Sequence, residues 1–297
     1  MPIGSLHEFE TQRSRLERLA YQILGTRSDA DDILQEAYLR WRDVDLSTVT
    51  SPASDLSSIV VRLCIDRRRD IDRRKETYIG TWLPEPTVER LIDQPDDSLE
   101  RAESVSFALL YVLETLGPYE RAAYLLRRMF DYEYSEIANI LDKDEVYCRQ
   151  LVSRAEGHLR AGRPRFDAHS VESQKIVEGF LRATQTGNVE ELAQLLAEDV
   201  VIYSDGGGKV TAALAPIRGV DKSIRFLTGV RKKAPAGMTV EQVLVNGSPG
   251  FVTHVGSDPI SIFTFNIVDG RITECFIVRN PSKIDYSRIG NILSSEN

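Results

Sequence analysis

The chain has 297 residues, a net charge of −8, 42% hydrophobic and 28% charged residues. That balance fits a soluble globular protein of two or three compact domains and excludes a low-complexity or collagen-like chain. No apolar run approaches the roughly 20 residues of a bilayer-crossing helix, and Met1 to Glu10 lacks the basic and apolar segments of a secretion signal. The three cysteines, Cys64, Cys148 and Cys275, are far apart and form no CxxC pair. They are read as reduced thiols of a cytoplasmic protein, with no metal site and no cofactor.

An acidic chain is repelled from nucleic acid at long range, but the charge is unevenly spread. Arg62 to Lys75 holds seven basic residues against three acids, and Tyr147 to Arg165 five arginines against one glutamate. Between them, Pro84 to Glu103 holds seven acids against Arg90 and Arg101. Two basic patches split by an acidic segment suit a protein that meets nucleic acid at two places with help from a partner.

In chain order, residues 5 to 76 read as helical. Leu16, Leu19, Ala20, Ile23 and Leu24 recur at three- and four-residue steps. Ser28 is expected to cap a second helix, with Asp29, Asp31 and Asp32 in its first turn, favoured by the helix dipole. A polar loop from Asp43 to Ser54 leads to a third helix that carries Leu56, Ile59, Val60, Leu63 and Cys64 into the arginine cluster. Residues 77 to 103, with prolines at 84, 86 and 95, read as a linker without a long regular element.

Residues 104 to 161 are helical again. Leu116-Gly117-Pro118 is a stop followed by a start. Ser135 is expected to open a short helix, and Glu145 to Arg160 a longer one after a turn at Leu141 to Asp144, which together read as a helix-turn-helix. From about residue 171 two helices precede β-rich runs at Val200–Tyr203, Thr239–Asn246, Phe251–Val255, Ile260–Val268 and Arg271–Val278, with a helix around Asp221 to Val230. Asn246-Gly247 and Asp269-Gly270 are hairpin signals. The last part is therefore expected to be an α+β domain with a curled antiparallel sheet.

Four stretches carry the chemistry. DADDILQEAYLRW, Asp29 to Trp41, gathers Asp29, Asp31, Asp32, Gln35 and Glu36 within two turns, either a solvated face or a surface for a basic partner. RLCIDRRRDIDRRK offers Arg62, Arg67, Arg68, Arg69, Arg73 and Arg74, whose planar guanidinium groups suit phosphate. The second helix of the helix-turn-helix presents Tyr147, Arg149, Gln150, Ser153 and Arg154, of which arginine suits guanine and glutamine adenine. Asp142, Asp144 and Glu145 crowd its start and would repel phosphate there. Finally, WLPEP (Trp82, Leu83, Pro84, Glu85, Pro86), DGGGK (Asp205, Gly206, Gly207, Gly208, Lys209) and NPSKI (Asn280, Pro281, Lys283, Ile284) are short motifs far apart in the chain.

The first 165 residues resemble extracytoplasmic-function (ECF) sigma factors of bacterial RNA polymerase. The resemblance implies a sigma-2 domain over 1–76, a linker over 77–103, and a sigma-4 helix-turn-helix domain over 104–165. It implies that the Asp29 to Trp41 helix docks on core polymerase, that the arginine cluster lies at the downstream promoter element, and that the helix-turn-helix reads the upstream one. An unstacked base would be sought at the loop Asp43 to Ser54. The three short motifs resemble those of the sigma-J-like group, with Ile284 where leucine is usual. That group has a C-terminal SnoaL-like domain of the nuclear-transport-factor-2-like cone fold, here 170–290, and its linker and extension are thought to touch. The implied partners are core RNA polymerase and promoter DNA, with no membrane. An unknown small ligand or protein at the C-terminal domain stays open.

SnoaL-like folds also host enzymes. Tyr203, Asp205, Lys209 and His254 are the available acid–base candidates, but their spacing implies no paired constellation, and the reading is not an enzyme. The alternatives are a ligand-sensing or catalytic SnoaL-like domain coupled to a DNA-binding regulator, and a plain helix-turn-helix repressor. Within the sigma reading, Lys209 is expected to meet linker acids such as Glu85.

Overall fold

The computed structural model describes residues 3–49, 51–90, 105–161 and 171–284. The linker acids from Asp93 to Glu103, Arg163 and Arg165 of the second basic patch, and residues 285–290 of the expected last domain lie outside them. The chain divides into two compact units, one drawn from Met1–Thr77 and Val112–Arg163, the other from Tyr78–Tyr111 and Pro164–Asn297.

The first unit is all-helical. Helices α1 (Ile3–Leu24), α2 (Arg27–Arg42) and α3 (Pro52–Glu76) bury the periodic apolar stripe, including Leu16, Leu19, Ile23, Ile33, Val60 and Cys64. Trp41 is fully buried, and its indole N–H donates to the Ser5 carbonyl at 2.9 Å. α2 starts earlier than its sequence suggests. Thr26, not Ser28, is the extended N-cap residue, and its hydroxyl donates to Asp29 at 2.7 Å, which places Ser28 inside the first turn.

Helix α4 (Phe107–Leu113) carries the boundary between the units, and α5 (Pro118–Arg128), α6 (Tyr134–Leu141) and α7 (Glu145–Ala161) complete the first. Pro118 stands in the first turn of α5 after the N-cap Gly117. α6 opens at Tyr134, one residue before Ser135. Its N-cap is Glu133, whose N–H donates to Glu136 at 2.8 Å. The turn to α7 is made at Asp142, with φ of 54°. Asp144 then accepts the Tyr147 N–H at 2.7 Å and closes the first turn of α7.

The second unit is built on one seven-stranded sheet in the order β1-β4-β5-β6-β7-β2-β3. The strands are β1 (Val88–Arg90), β2 (Leu196–Asp205), β3 (Ile217–Arg218), β4 (Met238–Val245), β5 (Ser248–Val255), β6 (Asp258–Val268) and β7 (Arg271–Val278). The two hairpin signals hold. Asn246-Gly247 and Asp269-Gly270 both take positive φ at successive residues, as a two-residue type I′ connection requires. The expectation of a purely antiparallel sheet fails at one pair, because β2 and β7 run parallel. No hairpin joins those two strands, so no turn imposes the opposite direction. β1 comes from the linker and pairs with β4, Val88 opposite Val245.

Both faces of this sheet are covered, and strand alternation sorts the residues between them. One face packs on α8 (Val171–Thr186), α9 (Val189–Leu195) and α10 (Val220–Lys232), joining Phe180, Leu192 and Leu227 to Ile202, Phe251, Phe263 and Phe265. The other face carries Val201, Tyr203, Val252, Ile262 and Phe276. It is covered by Leu83, Phe107, Ala108 and Tyr111, which precede the C-terminal domain in sequence. The segment read as a linker thus supplies part of this core.

Candidate functional site

The three short motifs meet on the second unit. β2 ends at Asp205, which is fully buried. One carboxylate oxygen accepts the Leu83 N–H at 3.1 Å and the Lys283 ammonium at 2.8 Å. The other accepts the Tyr78 hydroxyl at 2.6 Å and the Gly207 N–H at 3.0 Å. Lys283 also donates to the Leu83 carbonyl at 2.5 Å, so both backbone groups of Leu83 are held by side chains of the C-terminal domain. The Lys283 ammonium lies 3.5 Å from the centroid of the Trp82 ring, a cation–π contact strengthened by burial. Trp82 in turn meets Tyr78 edge-on at 4.7 Å.

The glycines let the strands of this knot approach. A Cβ on Gly207 would lie 2.4 Å from the Asn280 side chain, and one on Gly208 would lie 2.9 Å from Ile79. Asn280 donates to the Tyr78 hydroxyl at 2.7 Å and accepts the Ser282 N–H at 3.0 Å. Burial and the bond to Asp205 push the Tyr78 phenol well above its ordinary range, so it stays a donor. One step further along the linker, Thr87 and Asn246 exchange bonds of 3.1 Å and 2.8 Å.

The first unit contains a buried ionic centre. Glu114, just beyond α4, accepts from Arg68 at 3.0 Å on each oxygen, from Arg121 at 2.7 Å, and from Lys75. Arg68 and Arg121 are fully buried. Each also caps the end of α1, Arg68 on the Leu24 carbonyl at 3.1 Å and Arg121 on that of Gln22 at 2.9 Å. Those carbonyls belong to the last turn of the helix, where cations are favoured. Burial pushes the Glu114 carboxyl upward, but Arg121, Arg68 and Lys75 outweigh it and hold the group well below the usual carboxylate range. Burial and the Arg68 charge draw the Arg121 guanidinium down to about 10.

On α7, Cys148, Leu151, Val152 and Ala155 are buried, which leaves Arg149, Gln150, Ser153 and Arg154 exposed and Tyr147 half-buried. Arg149 is paired with Glu145 at 3.1 Å and lies 4.2 Å from the Tyr134 ring centroid.

Comparison with known proteins decides what these surfaces belong to. The family models Sigma-70 region 2, Sigma-70 region 4 and SnoaL-like domain match residues 9–74, 106–159 and 177–275. The chain is 36% identical to the ECF RNA polymerase sigma factor SigJ of Mycobacterium tuberculosis, over 94% of this chain and 93% of that one. It belongs to the ECF RNA polymerase sigma factors. A crystal structure of the M. tuberculosis SigJ superposes with a TM-score of 0.75 at 32% identity, covering 94% of this chain and 97% of that one. A probable ECF sigma factor SigI of the same species is 26% identical, over 94% of each chain.

In this sigma factor the residues singled out in the sequence fall into different environments. Arg68, expected on promoter phosphate, is instead enclosed by Glu114. A guanidinium with no exposed surface cannot reach DNA in this form. Asp29, expected on the polymerase, is buried and bridged by Arg67 at 2.8 Å and Arg74 at 3.5 Å, so it orders region 2 internally. Arg62 donates to the α6 carbonyls of Ile140 and Asn139 at 3.2 Å and 3.4 Å. Arg69 and Arg73 are exposed, each paired with an acid one turn back, Asp66 and Asp70. On α2, Asp32, Gln35 and Leu39 are exposed and Asp31 and Glu36 half-buried. Leu39, 52% exposed, adds an apolar position to that face. Lys209 bonds to Ser282 rather than turning to the linker, and Lys283 makes the linker contact. Of the acid–base candidates, Asp205 is committed to Leu83, Lys283 and Tyr78. Tyr203 is stacked on Phe276 under Tyr111, and His254 is buried beside Glu241 at 3.4 Å.

Proposed function

We propose that this sigma factor directs promoter-specific initiation by core RNA polymerase and that its SnoaL-like domain controls it by gripping the segment between regions 2 and 4. The polymerase would be met by Asp31, Asp32, Gln35, Glu36 and Leu39 of α2. Promoter DNA would be met by Arg69, Arg73 and Arg74 on α3, and by Tyr147, Arg149, Gln150, Ser153 and Arg154 on α7. The observation that carries the control is the double hold on Leu83, whose N–H goes to Asp205 and whose carbonyl goes to Lys283.

Spanning two promoter elements requires regions 2 and 4 to separate, yet here they share one compact unit. A connecting segment immobilised on the C-terminal domain limits the conformations open to the two regions. Releasing it shifts the population toward a form that fits polymerase, and any effector acts only through unequal affinity for the two forms. Run-off transcription with core polymerase tests this. The full chain should initiate at specific promoters, and Trp82→Ala should initiate more strongly. Absence of sigma activity would remove the role, and equal activity of the two would remove the control.

A further inference from the structure

The first turn of α7 carries an apolar side chain turned to solvent. Val146 is 65% exposed, whereas the apolar residues after it, Cys148, Leu151, Val152 and Ala155, are all buried. Helical spacing puts it on one stripe with Arg149, Gln150 and Ser153, which are exposed polar residues. The acids beside it are already engaged. Asp144 caps the helix through the Tyr147 N–H, and Glu145 is bound to Arg149. Arg149 is further fixed against the Tyr134 ring. Val146 therefore stands one turn before a pre-positioned arginine, at the end of the helix that a helix-turn-helix inserts into the major groove.

In the major groove the methyl on offer is the C5-methyl of thymine, where cytosine has only a C5–H, and the hydrogen-bonding groups of the base edges are donors or acceptors. We propose that Val146 is a specificity-determining residue that packs against a thymine methyl in the upstream promoter element, beside the base reached by Arg149 or Gln150. This rests on the promoter-reading role of α7 given above. The contact adds preference without a hydrogen bond, and it uses an apolar side chain where a carboxylate would repel phosphate.

The test removes the methyl from the DNA and the valine from the protein separately. Holoenzyme made from the full chain and core polymerase first selects upstream sequences from a randomised duplex library. Each selected thymine is then replaced by deoxyuridine, and affinity is measured for the parent and for Val146→Ala. At one position the parent should bind thymine about fourfold more tightly than deoxyuridine, the ratio expected for burying one methyl. Val146→Ala should lose most of that ratio there and keep the preferences at other positions. A ratio unchanged by the substitution at every thymine, or a selected element without thymine, overturns the assignment while promoter reading stands. If no upstream sequence is selected at all, promoter reading by α7 fails and the proposal fails with it.

Discussion

Glu114 binds Arg68 through two parallel hydrogen bonds of 3.0 Å, and this pair joins region 4 to region 2 in the interior of one unit. Arg68 also holds the end of α1, and Arg121 approaches Glu114 from α5, so a single carboxylate neutralises cations from both regions. Losing it would leave Arg121 buried without its counter-charge and Arg68 with only the half-buried Asp72, 3.0 Å from its Nε.

Glu114→Gln should therefore destabilise the first unit by about 3–5 kcal/mol near neutral pH. The pH dependence has a definite sign. Glu114 titrates below its ordinary value of 4.5 in the folded protein, so its contribution is complete above that pH and is lost as pH falls through the folded value. Denaturant unfolding of parent and variant should show a gap that is constant from about pH 5 to 7 and narrows in stronger acid. A gap that widens on acidification would contradict the ionised assignment.

Charge reversal on α2 tests the polymerase surface. Asp32→Lys with Glu36→Lys should weaken association with core polymerase by more than about 1 kcal/mol, roughly fivefold. Asp32 is exposed and Glu36 half-buried on the helix surface, so each substitution should change stability by no more than about 0.5 kcal/mol. Leu39→Ala should weaken association in the same assay. Unchanged capture of core enzyme by all three would take this face out of the interface.

On α7, Arg149→Ala and Arg154→Ala separate two kinds of contact. An arginine that reads a base should cost about 1–3 kcal/mol and relax preference at one upstream position. An arginine on phosphate should weaken all sequences evenly and reduce the salt slope. Normal affinity and normal selectivity in both variants would remove these residues from the recognition face.

Much of this architecture can be read from local signals. The helix-turn-helix and the two hairpins follow from periodicity and from residues suited to positive φ. The parallel pairing of β2 with β7 and the linker strand β1 depend on partners distant in sequence, which no local pattern specifies. The buried state of Arg68 left a trace in the sequence. It lies four residues after Cys64 and three before Ile71, on the apolar stripe of α3, although the surrounding arginines disguise it as part of a solvated run. Glu114 left none, since a lone glutamate at a helix end is ordinarily exposed. WLPEP, DGGGK and NPSKI were recognisable as motifs, but Lys209 and Lys283 are equivalent by sequence, and only burial tells which one faces the linker.

The Asp205–Lys283 pair predicts non-additive substitutions. Asp205→Asn or Lys283→Met alone leaves a buried charge without its partner and should lower the stability of the second unit by about 3–5 kcal/mol. The double variant should recover part of that loss, with a coupling energy of about 0.5–3 kcal/mol in a thermodynamic cycle. Strict additivity would mean the two residues do not act as a pair.

The most direct test of control through the linker is the distance between regions 2 and 4 in the free protein. Spin labels at Leu6→Cys and Gly157→Cys report it, because both positions are exposed and Cys64, Cys148 and Cys275 are buried from the reagent. The parent should give a single narrow distance distribution. Trp82→Ala and Asp205→Ala should add a longer population that matches the distance found in the polymerase complex. Identical narrow distributions in the parent and both variants would contradict control of sigma compaction by the C-terminal domain.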